Sequence, residues 1–311
     1  MAPSIAGSGC AEGRAGVPAL SEPMGRLGGL EVRLARNAAE VAAAQALRHR
    51  VFRTGEGRDA DAFDAVCDHL LVLDPEEGAP IGNSLVGNSL VGTCRLLRRD
   101  VAERHFGFYS AGEFDLGPLL AAHPDARFLE LGRSCVSPSH RAKRTVELLW
   151  HGAWTYALRA GADVLFGCAS LPGTDPDHLA APLALLHRRA RAEAGWRVRA
   201  VAGRGVALDR PDASEPETAW RTLPPLLKGY LRLGARVSEE AVIDPEFGTT
   251  DVLVLLRVAG IAPRYLAHFG ASAERHAPDR PFTARELAPG VADAMAQPRV
   301  PVAQQDRATV S

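Results

Sequence analysis

The sequence is poor in several features that mark particular classes of protein. It holds five cysteines among 311 residues, and no two of them have metal-ligand spacing, which argues against a disulfide scaffold and a structural zinc site. No apolar run reaches the roughly 18 to 20 residues of a membrane-spanning helix. The 36 basic and 37 acidic residues nearly cancel, so the basic excess of a typical nucleic-acid-binding protein is absent.

Common catalytic signatures are missing as well. The chain has no G-x-S-x-G nucleophile elbow and no Gly-rich Walker pattern, which argues against a serine hydrolase and an ATP-binding loop. The cysteines lie in apolar stretches that are typical of packing. We therefore expect neither a metal nor a cofactor, and the low cysteine content favours a cytoplasmic protein.

What the sequence does contain is enough apolar material for a folded core, with 46% hydrophobic and 23% charged residues. Residues 1–29 are rich in Gly, Ala, Ser and Pro without periodicity, which predicts a flexible leader. The Ala-, Pro- and Arg-rich residues 271–311 predict an unstructured tail. A folded region over 30–270 remains between them.

Strands and helices alternate along that region, which favours an α/β sheet protein. The pentapeptide GNSLV occurs twice, at 82–86 and 87–91, and a shift of five residues would swap the faces of a strand. We therefore place the first copy in a loop. The predicted strands are 30–35, 69–74, 91–97, 127–136, 163–170 and 251–256, and the predicted helices are 38–53, 145–161, 178–195 and 224–235.

Two charged residues lie in the predicted central strand. Glu130 and Arg133 are three residues apart and would point to opposite faces if the strand is regular. A charge in a central strand needs a partner or a cavity. Glu130 is then either a general base or one half of a structural ion pair with a cation such as Arg48 or Arg95.

A basic connection follows that strand and leads into a helix. It carries His140, Arg141, Lys143 and Arg144. Free backbone N–H groups at a helix start, together with these cations, suit a phosphate group. The alternative is a solvated charged loop.

Four spaced motifs resemble the acyl-homoserine-lactone synthases: Arg48-x3-Phe52, Asp61-x2-Asp64, Gly92-x2-Arg95 and Glu130-x2-Arg133. Longer stretches resemble a sister family, the L-ornithine Nα-acyltransferases, which are often labelled hemolysin-like. These stretches are ELGRSCV (130–136), LLWHGAWTYA (148–157), LFGCASLPGTDP (165–176), PPLLKGYLRLGA (224–235) and AVIDPEFGTTDVLVLL (241–256).

The resemblance covers residues 30–270 and implies a GNAT-like fold, a mixed α/β domain whose mostly antiparallel sheet is splayed near its middle and flanked by helices. It implies transfer of a 3-hydroxyacyl chain from acyl carrier protein to the α-amine of L-ornithine, which gives lyso-ornithine lipid in bacteria. The partners would be the acylated carrier and ornithine. It implies no nucleic acid, and it allows peripheral association with the inner face of the cytoplasmic membrane.

The resemblance also assigns roles to residues. Glu130 and Arg133 would be catalytic, and backbone N–H groups near Cys135 to Ser137 would stabilise the oxyanion. The basic connection, His140, Arg141, Lys143 and Arg144, would hold the phosphopantetheine arm and the carrier. The substrate would contact Arg48, Asp61, Asp64, Arg95 and Asp251.

Two alternatives stay open. The first is a lactone-forming signal synthase, which the C-terminal segments after residue 220 count against. The second is a membrane-active, hemolysin-like protein. The chain lacks a membrane span and a long amphipathic helix, so the sequence gives this second alternative little support.

Overall fold

The computed structural model describes residues 23–53, 57–76, 89–141, 143–211 and 216–261. Within these ranges the chain forms a ten-stranded sheet with helices on both faces, and a separate pair of short strands. The predicted tail 271–311, the leader up to residue 22 and the first GNSLV copy lie outside the described residues.

The strands are β1 (Gly25–Leu27), β2 (Leu30–Leu34), β3 (Asp68–Leu73), β4 (Leu90–Arg98), β5 (Phe114–Asp115), β6 (Phe128–Val136), β7 (Val164–Pro172), β8 (Arg199–Ala200), β9 (Gly205–Ala207), β10 (Arg236–Val237), β11 (Glu240–Asp244) and β12 (Thr249–Arg257). The α-helices are α1 (Ala38–Phe52), α2 (Arg99–Ala102), α3 (Gly117–Ala122), α4 (Lys143–Arg159), α5 (Ala180–Ala190), α6 (Pro216–Thr222) and α7 (Pro225–Arg232).

The large sheet runs β1-β2-β3-β4-β6-β7-β12-β11-β9, with β10 also beside β12, and β5 pairs with β8 apart from it. All its pairs are antiparallel except β6 with β7. The predicted fold class, a mixed α/β domain with a mostly antiparallel sheet, is confirmed.

The N-terminal edge of the sheet begins earlier than the sequence predicts. β1 pairs with β2 from Gly25↔Val32 to Leu27↔Leu30, inside the stretch 1–29 that we predicted as a flexible leader. Three residues are too few to show the alternation that identifies a strand. The boundary at Leu30 is therefore wrong by at least five residues.

Helix α1 covers one face of the sheet with a buried stripe that carries charge. Asn37 caps it, its side chain accepting the N–H of Glu40 at 3.0 Å. The buried residues of α1 are Glu40, Ala44, Leu47 and Arg48, and their spacing places them on one side of the helix. Helix α4 packs on the opposite face, against β1 to β4. Arg48 is thus carried into the sheet on the α1 face.

The sheet separates at its middle, as predicted. β6 and β7 have nine residues each, yet they pair only at Phe128↔Val164, Leu129↔Leu165 and Glu130↔Phe166. At the apex a Cβ on Gly167 would lie 2.2 Å from the carbonyl oxygen of Leu131, so only glycine fits there. β12 pairs with β7 along its whole length, which keeps β7 on the far side of the opening.

Two predicted helices differ in detail. The helix expected over 178–195 is α5, which begins at Ala180 and ends at Ala190, and its N-cap residue Leu179 makes no side-chain cap. The helix expected over 224–235 is α7, with Leu227 buried and Leu226 36% exposed. Among the described residues no helix is both long and apolar enough to span a membrane.

Candidate active site

A cavity of about 440 Å³ lies where β6 and β7 separate. It receives side chains from β6, β7 and β12, from the turn at 109–113, and from the end of α1 and the start of α7. A cavity of about 790 Å³ beside β5 and β8 is larger but holds none of the predicted site residues. The charged residues that line the smaller cavity are Glu113, Glu130, Arg133, Asp244 and Asp251.

Glu130 is buried at the apex of this opening, with 3% of its surface exposed. Its Oε2 accepts the backbone N–H of Tyr109 at 2.8 Å and its Oε1 accepts that of Ser110 at 2.7 Å. The Ser110 hydroxyl donates a further, short bond to Oε1. Burial raises the pKa of Glu130, and the hydrogen bonds from Ser110 and Tyr109 oppose this only in part. A carboxylate has about four acceptor positions, so one at Oε2 is left for a proton.

Arg133 lies on the same side of β6 as Glu130. Opposite faces were expected only for a regular strand, and β6 is not regular: its register against β4 shifts between Thr93 and Arg95, and Arg133 has a φ of 50°. Its guanidinium lies 4.9 Å from the ring centroid of Tyr109, the residue whose N–H binds Glu130. A β-bulge re-aims side chains in this way, and it brings both predicted catalytic residues to one cavity.

The four other predicted substrate contacts on the N-terminal half pair with one another instead. Arg48 donates to Asp64 at 2.8 and 2.9 Å and to Asp59 at 3.0 Å. Arg95 donates to Asp61 at 2.6 Å and to Asp64 at 3.3 Å. Neither these four residues nor Asp59 line the cavity. The five form a largely buried ion network in which the Asp61 side chain is 28% exposed, and direct contact of the four predicted residues with substrate stays a prediction.

The ion pair that was the alternative role for Glu130 can be compared with this network, while its role as a base stays a prediction. Among the described residues no salt bridge joins Glu130 to Arg48 or Arg95, and its hydrogen bonds come from the turn at 109–110. The network reaches the cavity through Arg133, whose Nε lies 3.3 Å from Asp59 Oδ2. This ion pair links the bulged guanidinium to the network, although Arg133 Nε makes no hydrogen bond among the described residues.

Asp64 makes the network sensitive to acid. Burial raises its pKa, but hydrogen bonds and charge from Arg48 outweigh burial and lower the pKa from 3.8 to about 2. A lowered folded-state pKa gives stability that is present above the unfolded value and lost as pH falls through the folded one. We expect Asp64 to contribute about 2 kcal/mol to the free energy of unfolding, and this contribution should disappear between pH 3.8 and 2.

Urea unfolding across this pH range measures the contribution of Asp64. Asp64→Asn should be less stable at pH 6 and should show a shallower acid loss, whereas an unchanged slope would contradict the assignment.

A second acidic group lines the cavity opposite Glu130. Asp251 on β12 and Glu113 after the 109–112 turn approach Cys168 on β7, with the nearest ligand atoms of the three all within 4.8 Å of one another. Asp251 was predicted, but Glu113 was missed because it lies in the irregular stretch 98–127, where no motif distinguishes it. Only the pairing of β7 with β12 and the fold of that stretch bring the two carboxylates together.

The basic connection lies at the open end of β6, before α4. Ser139 Oγ is 2.9 Å from His140 Nδ1, and His140 Nε2 is 3.7 Å from Asp74. Arg141 and Arg144 are exposed, and the side chain of Lys143 lies outside the described part of the chain. The position after β6 and at the start of α4 is the one that the resemblance predicts for the phosphopantetheine site.

The backbone hydrogen bonds show which of the predicted oxyanion donors, the N–H groups near Cys135 to Ser137, is still free to bind a substrate oxygen. The Ser137 N–H already donates to Val91 O at 2.8 Å, so it faces β4 and is occupied. Successive N–H groups of a strand point to opposite edges. The Val136 N–H therefore points away from β4, toward the opening beside β7, and it is the available donor of the three residues.

A splayed sheet with a buried carboxylate at its apex and a basic helix start at its open end defines an N-acyltransferase of the GNAT class.

Comparison with known families agrees, since the acetyltransferase (GNAT) domain family matches residues 45–151 of this chain. Over 268 residues the chain is 51% identical to the L-ornithine Nα-acyltransferase of Rhizobium meliloti, covering 82% of this chain and 89% of that protein. The enzyme of the same name from Brucella abortus is 48% identical over 265 residues, covering 81% and 92%. The chain belongs to the L-ornithine Nα-acyltransferase family and is an acyltransferase.

Solved structures resemble it more distantly. An N-acyl amino acid synthase from uncultured soil microbes covers 74% of this chain and 91% of its own, with 14% identity and a TM-score of 0.42.

Proposed function

We propose that this enzyme transfers a 3-hydroxyacyl chain from acyl carrier protein to the α-amine of L-ornithine, giving lyso-ornithine lipid. The observation that carries the proposal is the cavity between β6 and β7, with Glu130 and Arg133 on one wall and two further carboxylates on the other. Family relatives named for ornithine acylation support the acceptor. A carrier-protein donor implies that the reaction takes place in the cytoplasm.

The chemistry needs a base, since an α-amine is largely protonated near neutral pH. The amine nitrogen attacks the thioester carbonyl, the C–N bond forms and the C–S bond breaks. Glu130 receives the amine proton at the free position of Oε2, or through Ser110 Oγ, which already donates to the carboxylate. Its raised pKa keeps it a competent acceptor closer to neutral pH. The ammonium loses two protons on the way to the amide: one passes from Glu130 to the carrier thiolate as the C–S bond breaks, and the other goes to solvent.

Two further groups serve the same step. The N–H of Val136 points into the opening and stabilises the negative charge that develops on the carbonyl oxygen. Arg133 is the arginine that lines the cavity, and its guanidinium binds the carboxylate of ornithine, for which it has the matching geometry. Because Arg133 lies on the bulge of β6, a carboxylate bound to it places the α-amine of ornithine near Glu130.

The donor enters at the open end of the sheet. The phosphopantetheine arm lies between β6 and β7, and its phosphate binds the N–H groups at the start of α4 together with Arg141, Arg144 and the predicted Lys143 and His140. Exposed arginines also attract an acidic carrier protein. Leu226 of α7 lies at the cavity rim and is 36% exposed, which suits contact of the lipidic product with a membrane surface.

The test supplies purified enzyme with 3-hydroxyacyl carrier protein, or with the matching coenzyme A thioester, and a panel of amino acids, with products identified by mass spectrometry. We expect an ornithine amide from the carrier-bound donor. Neutralising Arg141 and Arg144 to serine should raise KM for the carrier by roughly tenfold at low salt, while the surface variant Arg188→Ser should not.

Other products decide against the proposal in distinct ways. A lactone product would support the signal-synthase alternative. Equal use of both thioesters, with no effect of the arginine substitutions, would keep ornithine acylation and reject the carrier site. Lysis of liposomes by the protein without substrates would favour the membrane-active alternative.

A further inference from the structure

The proposed chemistry leaves the Glu113 and Asp251 pair without a use. Both line the cavity, on the β12 side, across from Arg133. Burial raises the pKa of Asp251, and burial together with the charge of Asp251 raises the pKa of Glu113. Two carboxylates held this close repel each other unless a cation lies between them.

Asp251 is an unusual carboxylate because it is only 7% exposed and its Oδ1 is buried without a hydrogen-bond partner among the described residues. A buried acceptor that lacks a partner costs free energy. Its neighbour across the ladder is Ser170, which lines the same cavity. The Thr249 and Ser170 side chains act on the Asp251 carboxylate and oppose the rise of its pKa, but its Oδ1 has no partner among the described residues and is free to accept a donor from a substrate.

A line of contacts connects this pair to the proposed base. Ser110 Oγ, which binds Glu130, lies 3.6 Å from Cys168 Sγ, and Cys168 Sγ lies 3.5 Å from Glu113 Oε2. The base and the acidic pair are thus linked across the cavity through two side chains, Ser110 and Cys168. A substrate with one amine at each end of a short methylene chain can reach both.

We propose that Glu113 and Asp251 bind the side-chain ammonium of the acceptor and so select a diamino acid for acylation at its α-amine. This inference rests on the proposed function and extends it. The side-chain amine stays protonated at neutral pH, since alkyl amines of this kind have pKa values near 10. It offers three N–H donors, enough for Asp251 Oδ1 and Glu113. The acid pair also keeps this amine charged, which prevents it from attacking the thioester itself.

A divalent metal ion would also relieve the repulsion, since the nearest ligand atoms of Glu113, Cys168 and Asp251 lie within 4.8 Å of one another and a bound metal would take Cys168 as its thiolate. In this structure the Cys168 thiol instead donates a hydrogen bond to Glu113, and an ammonium group needs no thiolate. Zinc titration distinguishes the two occupants.

The test compares ornithine with norvaline, which has the same carbon chain without the side-chain amine. Wild type should prefer ornithine. In Glu113→Gln and Asp251→Asn, kcat/KM for ornithine should fall roughly ten- to a hundredfold, the loss of a hydrogen bond to a charged group, mainly through KM, while kcat/KM for norvaline stays unchanged or rises. Asp100→Asn, which removes an exposed carboxylate, is the matched control and should leave both acceptors unaffected.

The outcomes separate this inference from the proposed function. A wild type that makes no ornithine amide refutes the proposed function. A wild type that makes it, with variants that lose ornithine and norvaline activity in equal proportion or lose neither, refutes only the ammonium site. Stoichiometric Zn²⁺ binding by calorimetry that Asp251→Asn abolishes, with activity lost to a chelator, would show that the pair binds a metal instead.

Discussion

Glu130→Gln should lower kcat by at least about a hundredfold, the lower limit for loss of a positioned general base. The amide retains the size of the carboxylate but cannot accept the proton from the attacking amine. Because burial raises the pKa of Glu130, the wild-type rate should fall as pH drops through that raised value, where the carboxylate becomes protonated. This acid limb should be absent in the variant. Single-turnover rates with preformed acyl carrier protein, measured across pH, test both statements.

Glu130 also positions the turn at 109–110, so a loss of rate has a second source. The amide keeps one acceptor oxygen, so its NH2 group faces the donor of either Tyr109 or Ser110 and should destabilise the turn. The pH profile separates the two roles, since an acid limb that persists in the variant comes from a group other than Glu130, and the loss of rate then comes from the displaced turn. Glu103→Gln, which alters an exposed glutamate paired with Arg99, should match wild type. A Glu130→Gln enzyme within threefold of the wild-type kcat would exclude Glu130 as the base.

The sequence predicts the strands of this fold well where apolar runs are long, as in β3, β4, β6 and β7. It does not predict β1, because three residues show no pattern, nor the bulge at Arg133, because nothing local in the residues 130–136 specifies a register shift against β4. That bulge decides whether Glu130 and Arg133 share a face. The central residues of the site could therefore be predicted one by one, while their arrangement could not.

The same limit applies to the charged residues. Arg48, Asp61, Asp64 and Arg95 carry a motif, yet a motif does not distinguish a substrate contact from an internal ion pair, since both need the same residue types in the same order. Glu113 carries no motif and lies in the cavity. Its role depends on the splay of the sheet, which is a property of the tertiary fold.

Arg48→Met should destabilise the protein by about 3 to 5 kcal/mol, the cost of removing one partner from a buried charged group. Arg48 is 1% exposed and binds Asp59 and Asp64 through its Nε, Nη1 and Nη2 atoms, so its loss leaves two buried carboxylates short of a cation. Methionine fills much of the volume of the arginine side chain, so a cavity left by the substitution would not explain the loss of stability. Urea unfolding at pH 7 gives the change, and Arg50→Met, an exposed arginine on the same helix, should cost less than about 0.5 kcal/mol.

A double substitution shows whether the cost comes from unpaired charge. Arg48→Met with Asp64→Leu removes both partners, and replacing a buried pair by apolar residues is often close to neutral. We therefore expect the double variant to be more stable than Arg48→Met alone, with a coupling energy above about 1 kcal/mol. Because Asp59 also holds Arg133 at 3.3 Å, any Arg48 variant that folds should in addition raise KM for ornithine. Additive losses in the two single variants would show that Arg48 acts through packing, and the network would then have no part in holding Arg133 at the cavity.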